Sequence, residues 1–316
     1  MIVSIDWLKD FVDIDEQPNE LAELLSSVGL EAEHDNQFSE IKNVIIGKVL
    51  SVKGHPNADR LNVCTVNDGE NDFQVVCGAP NVAEGQTIAY AKVGSVLPGG
   101  FKLEKIKLRG VESSGMICSA KELNISDEHD GILVLPDTCR LGKNFISEYG
   151  NKFFKIELDI TPNRPDAFSH YGVARDISVF KNKKLNPLEF ETKNVNHNPS
   201  FKLSIDDKKD CPRYIGAVVS NVTVKPSPEW MQERLIAVGQ RPINNLVDIS
   251  NYVLMEIGQP THIFDWDKID TKEILVRRAS KNETIKTLDQ SSVNLNDNNL
   301  LITDGKKPIA IAGVCL

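Results

Sequence analysis

Short apolar runs separated by Gly, Pro and Asn dominate the chain between about residues 40 and 150. They predict strands at 44–52, 61–66, 73–77, 87–92, 101–109 and 132–135. Turn residues separate the runs, as in His55-Pro56-Asn57 and Asp68-Gly69. Short strands at this spacing are typical of a closed or nearly closed β-barrel. We therefore predict a barrel domain over residues 40–150.

Helical spacing marks the segments on either side of the barrel. In the first segment apolar residues recur at i, i+3, i+4 and i+7, namely Leu21, Leu24, Leu25 and Val28. Pro18 opens this helix and Gly29 ends it. A strand at 152–160 precedes a second helix, whose apolar face carries Val173, Ile177 and Phe180. Because residues 1–39 are too few to bury their own apolar face, we predict one split α+β domain made of 1–39 and 151–195.

A third domain is predicted over residues 200–316, after a polar linker at 193–200. Its expected strands are 201–205, 214–224, 274–278 and 300–303. One helix is expected at Pro228, with Ser227 as N-cap, and another over 245–257, ended by Gly258. The apolar run 307–316 has no partner strand in the sequence, so we expect an α+β domain truncated at its C-terminus.

The composition argues against several classes of protein. The 316 residues are 41% hydrophobic and carry a net charge of -9, which argues against an overall basic nucleic-acid-binding surface. The six cysteines form no Cys-x-x-Cys pair, so neither a disulfide framework nor a zinc site is predicted. The N-terminus lacks a secretory leader, and no apolar stretch approaches the roughly 18 residues of a membrane span. We expect a cytoplasmic protein that binds no membrane.

One predicted strand carries a row of cations. Lys105, Lys107 and Arg109 alternate with Ile106 and Leu108, so one face can enter a core while the other meets phosphate. The alternative is an ordinary solvated face, because residues 40–150 contain 12 Lys and Arg against 14 Asp and Glu.

Two loop histidines are also candidates. His55, followed by Asn57, can present a stacking imidazole and an amide at the barrel mouth. The alternative is a turn whose side chains bond their own backbone. His262 follows Gly258-Gln259-Pro260 and can bind a substrate hydroxyl or position water. Its alternative is a loop histidine held by backbone carbonyls.

A series of motifs in order resembles one known family. In the barrel they are His-Pro-Asn-Ala-Asp-Arg-Leu (55–61), Val-Val-Cys-Gly-Ala-Pro-Asn (75–81), Leu-Pro-Gly-Gly-Phe-Lys (97–102), Lys-Leu-Arg-Gly-Val-Glu-Ser (107–113) and Gly-Met-Ile-Cys-Ser-Ala-Lys-Glu-Leu (115–123). Outside it they are Leu-Asp-Ile-Thr-Pro-Asn-Arg-Pro-Asp (158–166), Arg-Pro-Ile-Asn-Asn-Leu-Val-Asp-Ile-Ser-Asn-Tyr-Val (241–253) and Gly-Gln-Pro-Thr-His-Ile-Phe-Asp (258–265). Together they resemble the N-terminal two-fifths of the beta subunit of bacterial phenylalanine–tRNA ligase.

The resemblance implies a fold and a set of partners. The fold is α+β multidomain: a split α+β domain with an inserted OB-fold-like tRNA-binding barrel, then an incomplete B3/B4-like editing domain. The family joins phenylalanine to its tRNA with ATP and Mg²⁺, as a heterotetramer of two alpha and two beta subunits with the synthetic site on alpha. The expected partners are therefore the alpha subunit and tRNA, without DNA. This chain alone is expected to bind no cofactor or metal and to be inactive.

The resemblance also implies site residues. The family's editing domain hydrolyses mischarged tyrosyl-tRNA, and the matching positions are His262, as the catalytic candidate, with Ser250 and Asn251 in the pocket. The tRNA-binding candidates are His55, Asn57, Lys105, Lys107 and Arg109. Two alternatives stay open: a stand-alone RNA-binding remnant without catalysis, and a hydrolase that deacylates mischarged tRNA in trans.

Overall fold

The computed structural model describes residues 1–34, 36–190, 201–206, 208–287 and 290–313. The predicted linker at 193–200 lies outside these residues. The chain divides into two units, one formed by Met1–Leu188 and Lys225–Thr261 and the other by Glu189–Val224 and His262–Leu316.

The helices and strands alternate irregularly along the chain. Up to residue 180 they are β1 (Ile2–Ser4), α1 (Ile5–Leu8), α2 (Pro18–Ser27), β2 (Glu31–His34), β3 (Lys42–Gly54), β4 (Asn62–Asn67), β5 (Asp72–Cys77), β6 (Thr87–Leu97), β7 (Phe101–Lys102), β8 (Ile106–Leu108), β9 (Val111–Ser113), β10 (Gly115–Ile117), β11 (Val134–Leu135), α3 (Phe145–Glu148), β12 (Lys155–Asp159) and α4 (His170–Phe180). They continue with β13 (Lys202–Ile205), α5 (Glu229–Ala237), α6 (Asn245–Ile257), β14 (Glu273–Arg278), β15 (Thr284–Lys286), β16 (Ser292–Asn294), β17 (Leu300–Thr303) and β18 (Pro308–Ile311). The described residues thus form a mixed α+β structure with several sheets.

A three-stranded antiparallel sheet joins the two ends of the predicted split domain. Strand β12 lies in the middle, paired with β1 on one side and β2 on the other. Helices α1, α2 and α4 cover this sheet, and their apolar faces form a buried core with it, including Trp7, Leu21, Leu25, Ile156 and Val173. The first 34 residues therefore bury their apolar stripe against a strand that lies far along the chain.

Helix termini follow the sequence signals closely. The predicted helix at 18–28 is confirmed as α2, which is followed by Gly29 with a φ of 90°. The predicted helix at 245–257 is confirmed as α6, and Gly258 ends it in the left-handed conformation at a φ of 75°. Glycine adopts this conformation without the steric cost of a Cβ atom.

A larger antiparallel sheet follows in the first unit, in the order β10-β6-β3-β4-β5, with β7 and β11 also paired to β6. Side chains from its strands form a buried core that includes Val49, Cys64, Val75, Ile88 and Tyr90. At the β5 edge, Gln74 accepts a hydrogen bond from the Ser114 amide at 2.8 Å. The far ends of the strand order therefore come within hydrogen-bonding distance.

Two predicted strands are wrong. The strand predicted over 101–109 is split into β7 and β8, because Leu103 turns inward, 6% exposed, and bonds through its backbone to Gly94 and Ser95. Ile106, expected in a core, is 48% exposed. The strand predicted over 214–224 is not formed, since none of the described strands pairs with it, and Val219 is 76% exposed.

In the second unit the sheet order is β13-β14-β17-β18. Strand β13 runs parallel to β14, whereas the other pairs are antiparallel. A hairpin of β15 and β16 stands beside this sheet as a separate pair. Helices α5 and α6 belong by their contacts to the first unit, while the predicted third domain includes them. The predicted domain boundaries stay predictions.

Candidate nucleic-acid interface

A short hairpin carries the cationic residues of the barrel region. Strands β8 and β9 pair antiparallel, with Leu108 opposite Val111, so the turn consists of only Arg109 and Gly110. Both turn residues have positive φ, 48° for Arg109 and 92° for Gly110. Two positive φ values in succession are typical of a type I′ turn, whose twist matches that of antiparallel strands. Arg109 adopts it although left-handed backbone is unfavourable for a residue with a Cβ atom.

The turn is held from outside by the loop at residues 55–57. The His55 ring contacts the Leu108 carbonyl oxygen through Nε2 at 3.0 Å, and its Nδ1 accepts the Asn57 amide at 3.1 Å. A single tautomer, protonated on Nε2, satisfies both bonds. The Asn57 side chain donates from Nδ2 to the Arg109 carbonyl oxygen at 2.9 Å. Two consecutive carbonyls of the hairpin are therefore fixed by one short loop.

The cations of the hairpin share one carboxylate. Lys105 Nζ lies 2.8 Å from Glu112 Oε2, and Lys107 Nζ lies 3.8 Å from Glu112 Oε1. The hydrogen bond from Lys105, its charge and the charge of Lys107 lower the pKa of the Glu112 carboxyl. Arg109 is exposed, and in the described part of the chain its guanidinium has no ion pair. The hairpin thus presents three exposed cations and one partly compensating anion.

The predicted barrel-mouth residues differ in exposure. His55 is only 7% exposed and has both ring nitrogens bonded, whereas Asn57 is exposed. Their role as tRNA contacts stays a prediction. Sequence reasoning missed Glu112 and the turn at Arg109 and Gly110. The available signal was a glycine after a cation between two alternating segments, which is typical of a two-residue hairpin loop.

The editing candidates lie on α6 and after it. Ser250 Oγ lies 2.8 Å from Thr261 Oγ1 and donates to the Thr261 carbonyl oxygen at 2.9 Å. Asn251 is the next residue of the helix and is partly exposed. His262 begins the second segment of the other unit, is exposed, and packs its ring against Phe264 with centroids 4.6 Å apart. The predicted roles of Ser250, Asn251 and His262 stay predictions.

Within the ranges that the structure describes, no group of three or more His, Cys, Asp and Glu is arranged to hold a metal ion. Among the same residues, no helix combines the length and the apolar character that a membrane crossing requires.

Two family profiles match the chain. Residues 44–144 match a tRNA binding domain, and residues 210–315 match the B3/4 domain. The first match covers the sheet and the hairpin described above. The C-terminal domain of Plasmodium vivax p43 is a solved structure that matches 33% of this chain and 59% of its own chain, at 23% identity and a TM-score of 0.25.

Curated relatives match from end to end of the chain. The phenylalanine–tRNA ligase beta subunit of Fusobacterium nucleatum is 44% identical over 99% of this chain. Those of Staphylococcus epidermidis and Geobacillus kaustophilus are 44% and 45% identical over the same share. In each case the match covers 40% of the relative, so the chain spans about two-fifths of the length of these relatives. Over nearly all of its length, the chain is therefore similar to about two-fifths of a phenylalanine–tRNA ligase beta subunit.

Proposed function

We propose that the chain works as the N-terminal part of a beta subunit of phenylalanine–tRNA ligase, which joins phenylalanine to its tRNA. The observation that carries this proposal is that the identity of about 44% extends over 99% of the chain and is not confined to one domain. The expected partners are an alpha subunit, two of each subunit in the complex, and tRNA. The complex would use ATP and Mg²⁺ at the alpha subunit, in the cytoplasm.

The first contribution of the chain is an OB-like barrel that binds tRNA. The sheet order β10-β6-β3-β4-β5 and the bond between Ser114 and Gln74 support closure of this sheet. On its surface, Lys105, Lys107 and Arg109 supply exposed cations, which attract phosphate and release its counterions on binding. A local patch of this kind lets a chain of net charge -9 hold RNA.

The second contribution is to editing. His262 would bind the mischarged tyrosyl-tRNA or position the water that hydrolyses its ester, and Ser250 and Asn251 are the other editing residues that the family resemblance implies. The exposed imidazole of His262 is accessible to a substrate. A pocket that hydrogen-bonds the phenolic hydroxyl rejects the phenylalanyl ester, because its polar groups would otherwise remain unpaired.

Native mass spectrometry of the endogenous complex tests the subunit assignment. We expect this sequence inside a longer chain, in a complex of two alpha and two beta subunits. A complex without a catalytic partner would contradict the proposal.

Charge reversal tests the tRNA contact. Changing Lys105, Lys107 and Arg109 to Glu should weaken tRNA binding and flatten the slope of log K against log salt by about 2 units, at roughly 0.7 per lost phosphate contact. A matched control changes Lys281, Lys286 and Lys306 to Glu, which alters the net charge equally on exposed residues of the other unit. Equal effects of both triple changes would refute a specific contact.

A deacylation assay tests editing. The holoenzyme should clear tyrosyl-tRNA, and His262→Ala should slow this step while phenylalanine activation stays unchanged. His129→Ala, at another exposed histidine, serves as the control. If His262→Ala clears tyrosyl-tRNA at the normal rate, His262 has no part in editing.

A further inference from the structure

The hairpin of β8 and β9 is attached to β5 through Glu112 and Ser113, whereas its turn is held by the loop at residues 55–57. Strand β8 pairs only with β9 among the described strands. On the other side of the turn, the carbonyl oxygens of Leu108 and Arg109 meet His55 and Asn57 at 3.0 and 2.9 Å. Apart from the pairing of Leu108 with Val111 inside the hairpin, these two side-chain bonds are what fix the turn. The loop therefore limits how far the hairpin can bend away from the sheet.

The backbone at the turn needs such support. Arg109 has a φ of 48°, a left-handed conformation that costs roughly 1 kcal/mol for a residue with a side chain. The bond from Asn57 Nδ2 to the Arg109 carbonyl stabilises the strained peptide directly. The direction of the Arg109 side chain is thus tied to Asn57.

The His55 ring is committed to the same task. It is 7% exposed, its Nε2 bonds to Leu108, and its Nδ1 accepts the backbone amide of Asn57. A ring buried in this way has no free face for a nucleotide base. The hydrogen bond from the Asn57 backbone amide to His55 Nδ1 also orients Asn57. The two residues therefore support the turn together.

We propose that His55 and Asn57 are positioning residues, which hold the Arg109-Gly110 turn so that Lys105, Lys107 and Arg109 meet RNA phosphate. Neither side chain contacts the RNA. This inference rests on the proposed function of the hairpin in tRNA binding.

The experiment compares Asn57→Ala with Lys107→Ala in the full chain. Binding of fluorescent tRNA for phenylalanine is measured by anisotropy over a series of KCl concentrations, and amide hydrogen exchange of the hairpin is measured without RNA. Asn57 is exposed, so its loss should not unfold the barrel. Asn71→Ala is the matched control, since Asn71 is an exposed asparagine in the turn before β5. His55→Ala is a second test, used if it folds.

Asn57→Ala should raise Kd about fivefold at every salt concentration, leave the salt slope unchanged, and accelerate exchange of the hairpin amides at least tenfold. Lys107→Ala should instead lower the slope by about 0.7 and leave exchange unchanged. An unchanged Kd for Asn57→Ala overturns the inference. So does weaker binding with unchanged exchange of the hairpin amides, which indicates that Asn57 contacts the RNA directly. If Lys107→Ala alters neither Kd nor slope, the proposed phosphate contact itself fails, whatever Asn57 does.

Discussion

The imidazole of His170 lies stacked on the indole of Trp7, with ring centroids 4.1 Å apart. Its Nε2 accepts the Ser4 backbone amide at 2.9 Å, and its Nδ1 lies 2.7 Å from the Met255 carbonyl oxygen. The ring is fully buried. One side chain of α4 therefore connects the start of the chain to α6, and it is protonated on Nδ1 in the neutral form.

Replacement of His170 by Phe should destabilise the protein by about 2–4 kcal/mol. Phenylalanine keeps the ring stack on Trp7 but leaves the Ser4 amide and the Met255 carbonyl buried without partners, at about 1–3 kcal/mol each. Urea unfolding measures the change. His129→Phe, at an exposed histidine, should change stability by less than about 0.5 kcal/mol. Equal stabilities of the two variants would contradict the role of the two bonds.

Stability should also fall as the pH is lowered below about 6.5. Burial lowers the pKa of His170 to about 3, so the unfolded chain binds a proton on this residue at a pH where the folded chain does not. The stabilisation that comes from the neutral His170 ring is complete above the pKa of this residue in the unfolded chain. It is lost as the pH falls toward the pKa of His170 in the folded chain, at up to about 1.4 kcal/mol per pH unit. From pH 6 to pH 5, the free energy of unfolding should fall by about 1.2 kcal/mol more in the wild type than in His170→Phe. Urea unfolding at both pH values measures this difference. The same difference in both proteins would assign the pH dependence to other groups.

Gly172→Ala should be strongly destabilising. A Cβ atom at this position would lie 1.7 Å from the Asp166 carbonyl oxygen, so α4 or the loop before it must move. Forced repacking of this kind costs about 1–3 kcal/mol or more. Gly54→Ala is the control, because a Cβ there meets no atom within 4 Å and the backbone is not left-handed. Thermal unfolding should separate the two variants by several degrees, and a Gly172→Ala protein as stable as Gly54→Ala would refute the close approach.

Glu112→Gln should strengthen tRNA binding. The carboxylate of Glu112 pairs with Lys105 and Lys107, and its removal frees both cations for phosphate. Because exposed ion pairs are weak, the expected gain is about threefold in Kd, with a steeper salt dependence. Glu84→Gln makes the same charge change at another exposed glutamate. A gain of the same size in Glu84→Gln would show a general charge effect instead.

The sequence predicted best the elements whose ends are set by local chemistry. Helices α2 and α6 are followed by Gly29 and Gly258, where a left-handed backbone favours glycine. The failures came from tertiary packing. The alternation of Lys105 to Arg109 has the period of a half-buried strand. Ile106 is nevertheless exposed, because β8 pairs with β9 and with no other described strand.

In the candidate site, too, local features could be predicted from the sequence and distant contacts could not. The cations of the hairpin are visible in the sequence, whereas the bonds from His55 and Asn57 join residues more than 50 positions away. The sequence predicts helix α6 but not where it packs, and Tyr252 and Met255 pack against the core of the first unit. Local patterns cannot specify such distant pairings.

The placement of β12 between β1 and β2 bears on how the protein is made. His34 on β2 contacts the Lys155 carbonyl, 121 residues later. At about 5–20 residues per second, a ribosome needs roughly ten seconds to deliver that strand. During this interval the residues of the larger antiparallel sheet are already synthesised, while the apolar face of α2 has no sheet to cover it. A nascent chain of this protein therefore presents an attractive target to chaperones until β12 emerges.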